Sequence, residues 1–600
     1  MTANPQRWIS RLRGSAAITL ALAAVSGCTP PPEPAKVAAP AAPVKPTETT
    51  AVAFPAVKFV DVTKSAGIDF VHENGAEGEK LLPETMGSGV AVLDVEGDGD
   101  QDLFFVNSDF WPGGKKIASG GLRPTQRLYL NDGSGKFTDA TKSAGLNISC
   151  FGQGVAVGDY DNDGDPDLYI TALGGGKLLR NKGGVFEDVT AAANAGAGDG
   201  WLTSAGFFDL ENDGDLDLFV CRYVQWTAEF DRGQNFPLLG TGKGRAYGPP
   251  NAFGGTFCTL LRNDGGRFVD VSEKSGIQVR TLDLKVPQGK SLGIAPFDVD
   301  GDGFVDVAIA NDTVPNFLFR NKGDGTFEEL AVTSGVAFDK SGSARGAMGI
   351  DWAHFRNDSV LGLAIGNFAN EMTALYVTES PSSFLFSDLA NLYGLGAPTQ
   401  PPLKFGLFFF DYDNDGRLDL LSANGHLENE ISKVQASQTY EQSAQLFWNS
   451  GRRGRALYSL VGPDAAGPDL FKPVVGRGSA YLDMDGDGDL DVVITANGGP
   501  PLVLRNDGGN ASKSIRLKLV GSKSNRDGIG ARIRVTVAGK TYERQHFLAK
   551  GYLSSVEEPI TIGLGAAESA DIEVVWPSGA KSRMEGAKPG SVKVEEPKAP

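Results

Sequence analysis

Apolar residues in this chain fall in short, β-rich runs rather than at helical spacing, and one kind of polar stretch keeps interrupting them. Runs such as "GVAV", "DLYIT" and "DLFV" flank acidic loops, so each loop is expected to join two strands. A third strand follows, leading into "RLYLNDGSGKF", "KLLRNKGGVF", "TLLRNDGGRF" or "FLFRNKGDGTF". Asn-Asp-Gly and Asn-Lys-Gly are hairpin signals, and a last strand comes behind them: "FTDAT", "FEDVT", "FVDVS" or "FEELA". Four strands per repeated unit is a propeller-blade pattern.

Six acidic loops mark six units, and a seventh lies where the spacing requires it, in "GIDWAHFRNDSVLGLAIGN". A last strand of the same type, "FVDVT" at Phe59, precedes the first loop, and none follows "VLRNDGG" at 503–509. The N-terminal strand is therefore expected to complete the last blade and close the ring, leaving no unpaired edge. The fold class is all-β: a seven-bladed propeller over 58–510, then a small C-terminal β-domain over 511–585 and a tail, 586–600. In the C-terminal part the acidic loops stop, and "SIRLKLVG" and "ARIRVTVAG" alternate like half-buried strands.

The N-terminus reads differently. Arg7, Arg11 and Arg13 precede the apolar "SAAITLALAA", too short to span a bilayer stably, and "VSGC" ends the run. Small residues before a cysteine resemble a bacterial lipobox with Cys28 as the lipidated residue; the alternative is a plain signal peptide. With Thr29 next, the expected place is the outer membrane or cell surface, the membrane being reached by the lipid alone. Residues 29–57, rich in Pro and Ala, read as an extended tether. Cys221 and Cys258 bracket a long irregular stretch, and a bridge or two free thiols both fit.

The formal charge of −18 argues against nucleic acid, which needs a basic footprint. Much of the acidity obeys D-x-[DE]-x-D-G-x-x-D. The candidate ligands are Asp94, Glu96, Asp98 and Asp102; Asp159, Asp161, Asp163 and Asp167; Asp209, Glu211, Asp213 and Asp217; Asp298, Asp300, Asp302 and Asp306; Asp411, Asp413, Asp415 and Asp419; and Asp483, Asp485, Asp487 and Asp491. Carboxylates at positions 1, 3, 5 and 9, with the carbonyl of position 7, supply the oxygens a hard cation such as calcium wants, and the glycine at position 6 permits the reversal. About six calcium ions are expected. In the seventh unit His354, Arg356 and Gly362 replace three of the ligands and only Asp358 survives, so no ion is expected there.

These units resemble FG-GAP (VCBS-type) repeats, the blades of integrin-α heads and of many bacterial surface proteins. Behind them "NRDGIGARIRV", "GYLSS", "IGLG" and "IEVVWPSG" resemble, in order, the ASPIC/UnbV domain. "PETMGSG" at 83–89 and "NGH" at 424–426 fit the propeller of the cartilage acidic protein 1-like family. The resemblance implies a calcium-stabilised propeller and specifies no activity.

The calcium loops and the Asn-Gly turns share one face, so the opposite face carries the longer and more varied loops, where binding usually lives. There Lys290, Arg345, Lys404 and Arg477 precede the inner strands of units four to seven, with Glu84, His72 and His426 expected nearby. The expectation is an anionic group bound at the channel mouth, the bland alternative being cations that balance nearby carboxylates. No H-E-x-x-H metalloprotease motif is present, and His72, His426 and Glu84 are the only acid–base candidates. The leading expectation is a surface-anchored recognition or scaffold protein for proteins or glycans; the alternative is an enzyme acting on a polysaccharide or small molecule.

Overall fold

In six blades the second strand starts on the ninth residue of the acidic loop: Asp102–Phe105, Asp167–Ala172, Asp217–Arg222, Asp306–Asn311, Asp419–Asn424 and Asp491–Ala496. The loop is therefore continuous with the ladder, and a ligand position doubles as the first buried strand position. The computed structural model describes residues 53–238, 244–452 and 454–598; Cys28, the leader and most of the tether lie outside them. The described residues from Phe54 onward form one compact unit.

Seven four-stranded antiparallel blades occur among the described residues, one of them extended by two short C-terminal strands. Their inner strands are Val90–Leu93, Gly152–Gly158, Leu202–Phe208, Ser291–Phe297, Ala347–Ala353, Lys404–Phe410 and Gly476–Leu482. Each packs on the next and the last on the first, closing a ring. The seventh blade takes its outer strand from the N-terminus: Lys58–Asp61 pairs with Leu502–Asp507, Phe59 opposite Asn506. Cores lie between neighbouring blades, where apolar side chains of facing sheets interdigitate.

The C-terminal domain has two sheets, one built on Lys513–Val520 and one on Arg532–Val537, with Ile515, Leu517, Ile533, Val535 and Trp576 buried between them. It differs from expectation at its end. Residues 586–600 are not a tail: Gly590–Glu595 pairs in parallel with Lys513–Val520, and buried Glu596 accepts hydrogen bonds from the backbone of Ser522, Lys523 and Ser524. The tether also ends early, since Phe54 packs edge-on against Trp448 and Val57 is buried.

The propeller axis is filled. From the C-terminal domain, Ala549–Lys550 and Ser554–Ser555 join the first blade's sheet, Ser555 pairing with Ala91. Gly551 bridges Ile350 of the fifth blade, the Leu553 carbonyl accepts from Val155 N, and Leu553 N donates to Ser204 Oγ. Tyr552, fully buried, stacks edge-on against Phe405 and donates to the Met86 carbonyl at 3.0 Å. A side chain on Gly89 would lie 2.2 Å from the Leu553 carbonyl, so the first blade must offer bare backbone here.

Candidate metal centres

In the loop at Asp159, Asp159 Oδ1 accepts from Asp163 N at 3.0 Å and Oδ2 from Gly164 N at 2.8 Å, which folds the loop back on its first residue. Gly164 makes the reversal at φ +100°. Asp167 closes it, Oδ2 accepting from Tyr160 N and Oδ1 from Asn181 N. The same bonds to positions 5 and 6 recur at Asp94, Asp209 and Asp411.

Four loops bring three ligand atoms within 4.8 Å of one another: Asp159, Asp161 and Asp167; Asp298, Asp300 and Asp302; Asp411, Asp413 and Asp419; and Asp483, Asp485 and Asp491. The expected six sets are thus reduced to four at this spacing. The loops at Asp94 and Asp209, which carry Glu96 and Glu211 at position 3, are not among the four. Asp161 Oδ1, Glu211 Oε2, Asp413 Oδ1, Asp483 Oδ1 and Asp485 Oδ1 are buried with no hydrogen-bond partner, which is costly unless a cation answers them. Burial pushes Asp167 up to about 9, Asp102 to about 8, Asp159 and Asp209 to about 7 and Asp298 and Asp483 to about 6. Burial and the crowding of Asp413, Asp415 and Asp411 likewise raise Asp419. Acidic oxygen donors held this way fit a hard divalent cation.

The asparagine of the hairpin motif does more than turn the chain. Asn131, Asn181, Asn263, Asn321, Asn449 and Asn506 each donate their backbone N–H to the ninth-position aspartate of their own blade. Each side-chain amide then donates to the position-2 carbonyl of the preceding blade's loop: Met484, Val95, Tyr160, Leu210, Phe355 and Tyr412. The loops are therefore latched to one another around the ring. The fifth blade has Thr378 in the asparagine's place, and its hydroxyl accepts from Leu361 N within the same blade. There Arg356 pairs with Asp358 and with the Tyr393 hydroxyl, while His354 Nδ1 lies 3.3 Å from the Val360 carbonyl.

The C-terminal domain lies against this metal-loop face. Arg516 approaches Asp483 at 3.2 Å, Lys518 approaches Asp94 at 3.8 Å and Arg532 approaches Asp298 at 3.5 Å. Arg544 donates to Asn357 Oδ1 and to the Gly416 carbonyl.

The expected anion site at a channel mouth is not what the cations form. Lys404, fully buried, donates to the carbonyls of Glu371, Thr399 and Pro402 at 2.6, 2.6 and 2.7 Å, and burial pushes it down to about 7. Arg477, also buried, lies over the Phe405 ring and donates to the carbonyls of Thr85, Gly425, Gly476 and His426. Lys290 donates to the Pro250 carbonyl and Asn251; Arg345 to the Met372 carbonyl. They tie loops together because irregular chain over a ring leaves carbonyls that need donors. His72 and His426 are buried near Arg477, each accepting a backbone N–H at Nδ1, and burial with Arg477 lowers them to about 3 and about 4. Glu84 is buried too, accepting from Trp111 Nε1 and the Tyr247 hydroxyl, and burial raises it to about 7. Cys221 and Cys258 are free thiols placed side by side by the register that sets Val220 opposite Thr259.

Comparison with known proteins agrees with this architecture. The FG-GAP-like repeat matches residues 94–170, 159–220 and 298–365, and the ASPIC and UnbV family matches 521–600. Cartilage acidic protein 1 of Xenopus tropicalis is 23% identical over 496 residues, covering 71% of this chain and 70% of that protein. The Homo sapiens protein of the same name is 24% identical over 536 residues, covering 83% and 70%. Among solved structures, an Agrocybe aegerita lectin recognising non-reducing terminal N-acetylglucosamine aligns with a TM-score of 0.36 at 16% identity over 64% of this chain and 90% of its own, too loose a likeness to carry an argument. The chain carries FG-GAP-like repeats within its propeller and an ASPIC and UnbV match in its C-terminal domain, and is similar over most of its length to cartilage acidic protein 1.

Proposed function

We propose that this chain is a calcium-stabilised recognition or scaffold propeller, exported and held by a lipid on Cys28 at the bacterial outer membrane or cell surface, with a protein or glycan as its partner. The observation that carries the calcium reading is the set of buried, unpartnered carboxylate oxygens in four of the acidic loops. Calcium would be held by the aspartates at positions 1, 3, 5 and 9, best where three already converge, and supplies positive charge where burial opposes ionisation. The asparagine latches connect these loops to their neighbours everywhere but between the fourth and fifth blades, so an ion in one loop stiffens the latched seams beside it.

The C-terminal domain lies against the metal-loop face and fills the axis, and the partner surface proposed is the opposite face. Between Asp217–Arg222 and Thr259–Asn263, the described residues are braced by the Asp231 carboxylate, which accepts from Leu82 N and Trp226 Nε1 and pairs with Arg245. Fixed supports under irregular loops suit recognition. The enzyme reading draws no support from His72 and His426, which are buried and each use Nδ1 to accept a backbone N–H.

Panels of extracellular proteins and glycans, offered to the calcium-loaded full chain, test the reading. Saturable binding without product is expected. Turnover of an anionic glycan that disappears with His426→Ala would overturn it in favour of the enzyme.

A further inference from the structure

Three departures from the repeat coincide at one seam, between the fourth and fifth blades. The fifth blade's loop has lost its metal ligands, Thr378 cannot latch it to the fourth, and a cleft of about 420 Å³ opens there against the C-terminal domain. Val299, whose carbonyl is the position the missing latch would reach, lines this cleft. So do Asp300 and His354 from the two blades and Arg532, Arg534 and Glu543 from the C-terminal domain.

His354, Glu543, Arg544 and Gln545 also wall a second, inner cavity of about 70 Å³. Phe297, Trp352, Phe409 and Tyr481 surround it with aromatic surface. His546 lines it as well, only 3% exposed, one ring nitrogen hydrogen-bonded to the Asp527 backbone and Nε2 without any hydrogen-bond partner. With the proton on the bonded nitrogen, Nε2 presents a lone pair to whatever enters.

We propose that this cleft binds a short saccharide, with a hydroxyl-bearing edge of the sugar entering the inner cavity. The walls mix charges of both signs (Arg532 and Arg534 against Glu543 and Glu573) with the unpartnered acceptor His546 Nε2, so a simple anion or cation would meet its own sign on one side. A hydroxyl donates and accepts at once and satisfies both. Aromatic faces below match the C–H face of a sugar ring, and the volume is that of a small-molecule site. The site lies on the metal-loop side, so it goes beyond the loop-face recognition proposed above and neither requires nor replaces it.

The test uses the calcium-loaded full chain and a panel of neutral, carboxylated and N-acetylated mono- and disaccharides, read by saturation-transfer NMR and calorimetry. Two blocking variants approach the cleft from opposite walls at exposed positions: Ser359→Trp on the propeller and Lys581→Trp on the C-terminal domain. At least one sugar should bind, and each variant should weaken it by about tenfold or more while circular dichroism, calcium content and Tm stay unchanged. Two variants keep the test open if one fails to fold. No binding by any member of the panel, or binding that survives a folded blocking variant, overturns the proposal.

Discussion

Glu84 is a carboxyl held where water cannot reach it, and its stability consequence depends on pH. Its folded value of about 7 lies above its ordinary 4.5, so the folded state keeps a proton that the unfolded chain releases. Below pH 4.5 both states are protonated and nothing is lost; between 4.5 and 7 stability falls, and above 7 the full cost, about 3 kcal/mol, is present. Glu84→Gln keeps an acceptor for Trp111 and offers an amide N–H to the Tyr247 oxygen, so urea unfolding should show it stabilised at pH 8 and nearly neutral at pH 5. Arg477 makes the opposite case. Arg477→Met would leave the carbonyls of Thr85, Gly425, Gly476 and His426 short of a donor, and a loss of about 3 kcal/mol or more is expected in the same measurement.

The loop and the strand behind it were legible in the sequence because both follow from local chemistry: carboxylates at fixed offsets, a glycine where φ must be positive, apolar runs on either side. The hairpin asparagine was legible only as a turn residue. Its amide reaches a carbonyl of another blade, 86 residues away in the case of Asn181 and Val95, and no local pattern encodes that partner. One signal was present: the asparagine stands in six units while the residue after it changes among Asp, Lys and Ser. Asn181→Ala should cost about 2 kcal/mol, two buried hydrogen bonds being lost, and hydrogen exchange should rise at the seam between the first and second blades. The plug was hidden for a related reason. "GYLSS" carries no axial signature, and only the ring around it gives Tyr552 a place. Tyr552→Ala should lower stability by about 3 kcal/mol or more, measured by denaturant unfolding. The cations misled because Lys404 and Arg477 look like surface charges in sequence, whereas the carbonyls they serve are gathered only by the fold.

At the scale of the whole molecule, metal and closure act together. Calcium titration should fill the four loops with converged aspartates first and reach about six ions at saturation, the loops holding Glu96 and Glu211 being weaker. Chelator should lower Tm by roughly 10 °C or more, as expected when ligands that bind only the folded state are removed. A pull on the tether is a different matter. It reaches the ring at Phe54 and passes to Lys58–Asp61, which is held by four ladder positions and by the contacts of Asp61 with Asp469 and Lys472. That strand closes the seventh blade, so force on the proposed anchor would strip it rung by rung and turn the closed ring into an open one. Tyr552 would still occupy the axis, and the strand could zip back once the load is gone. The seam that completes the ring is thus also the one that tension tests first.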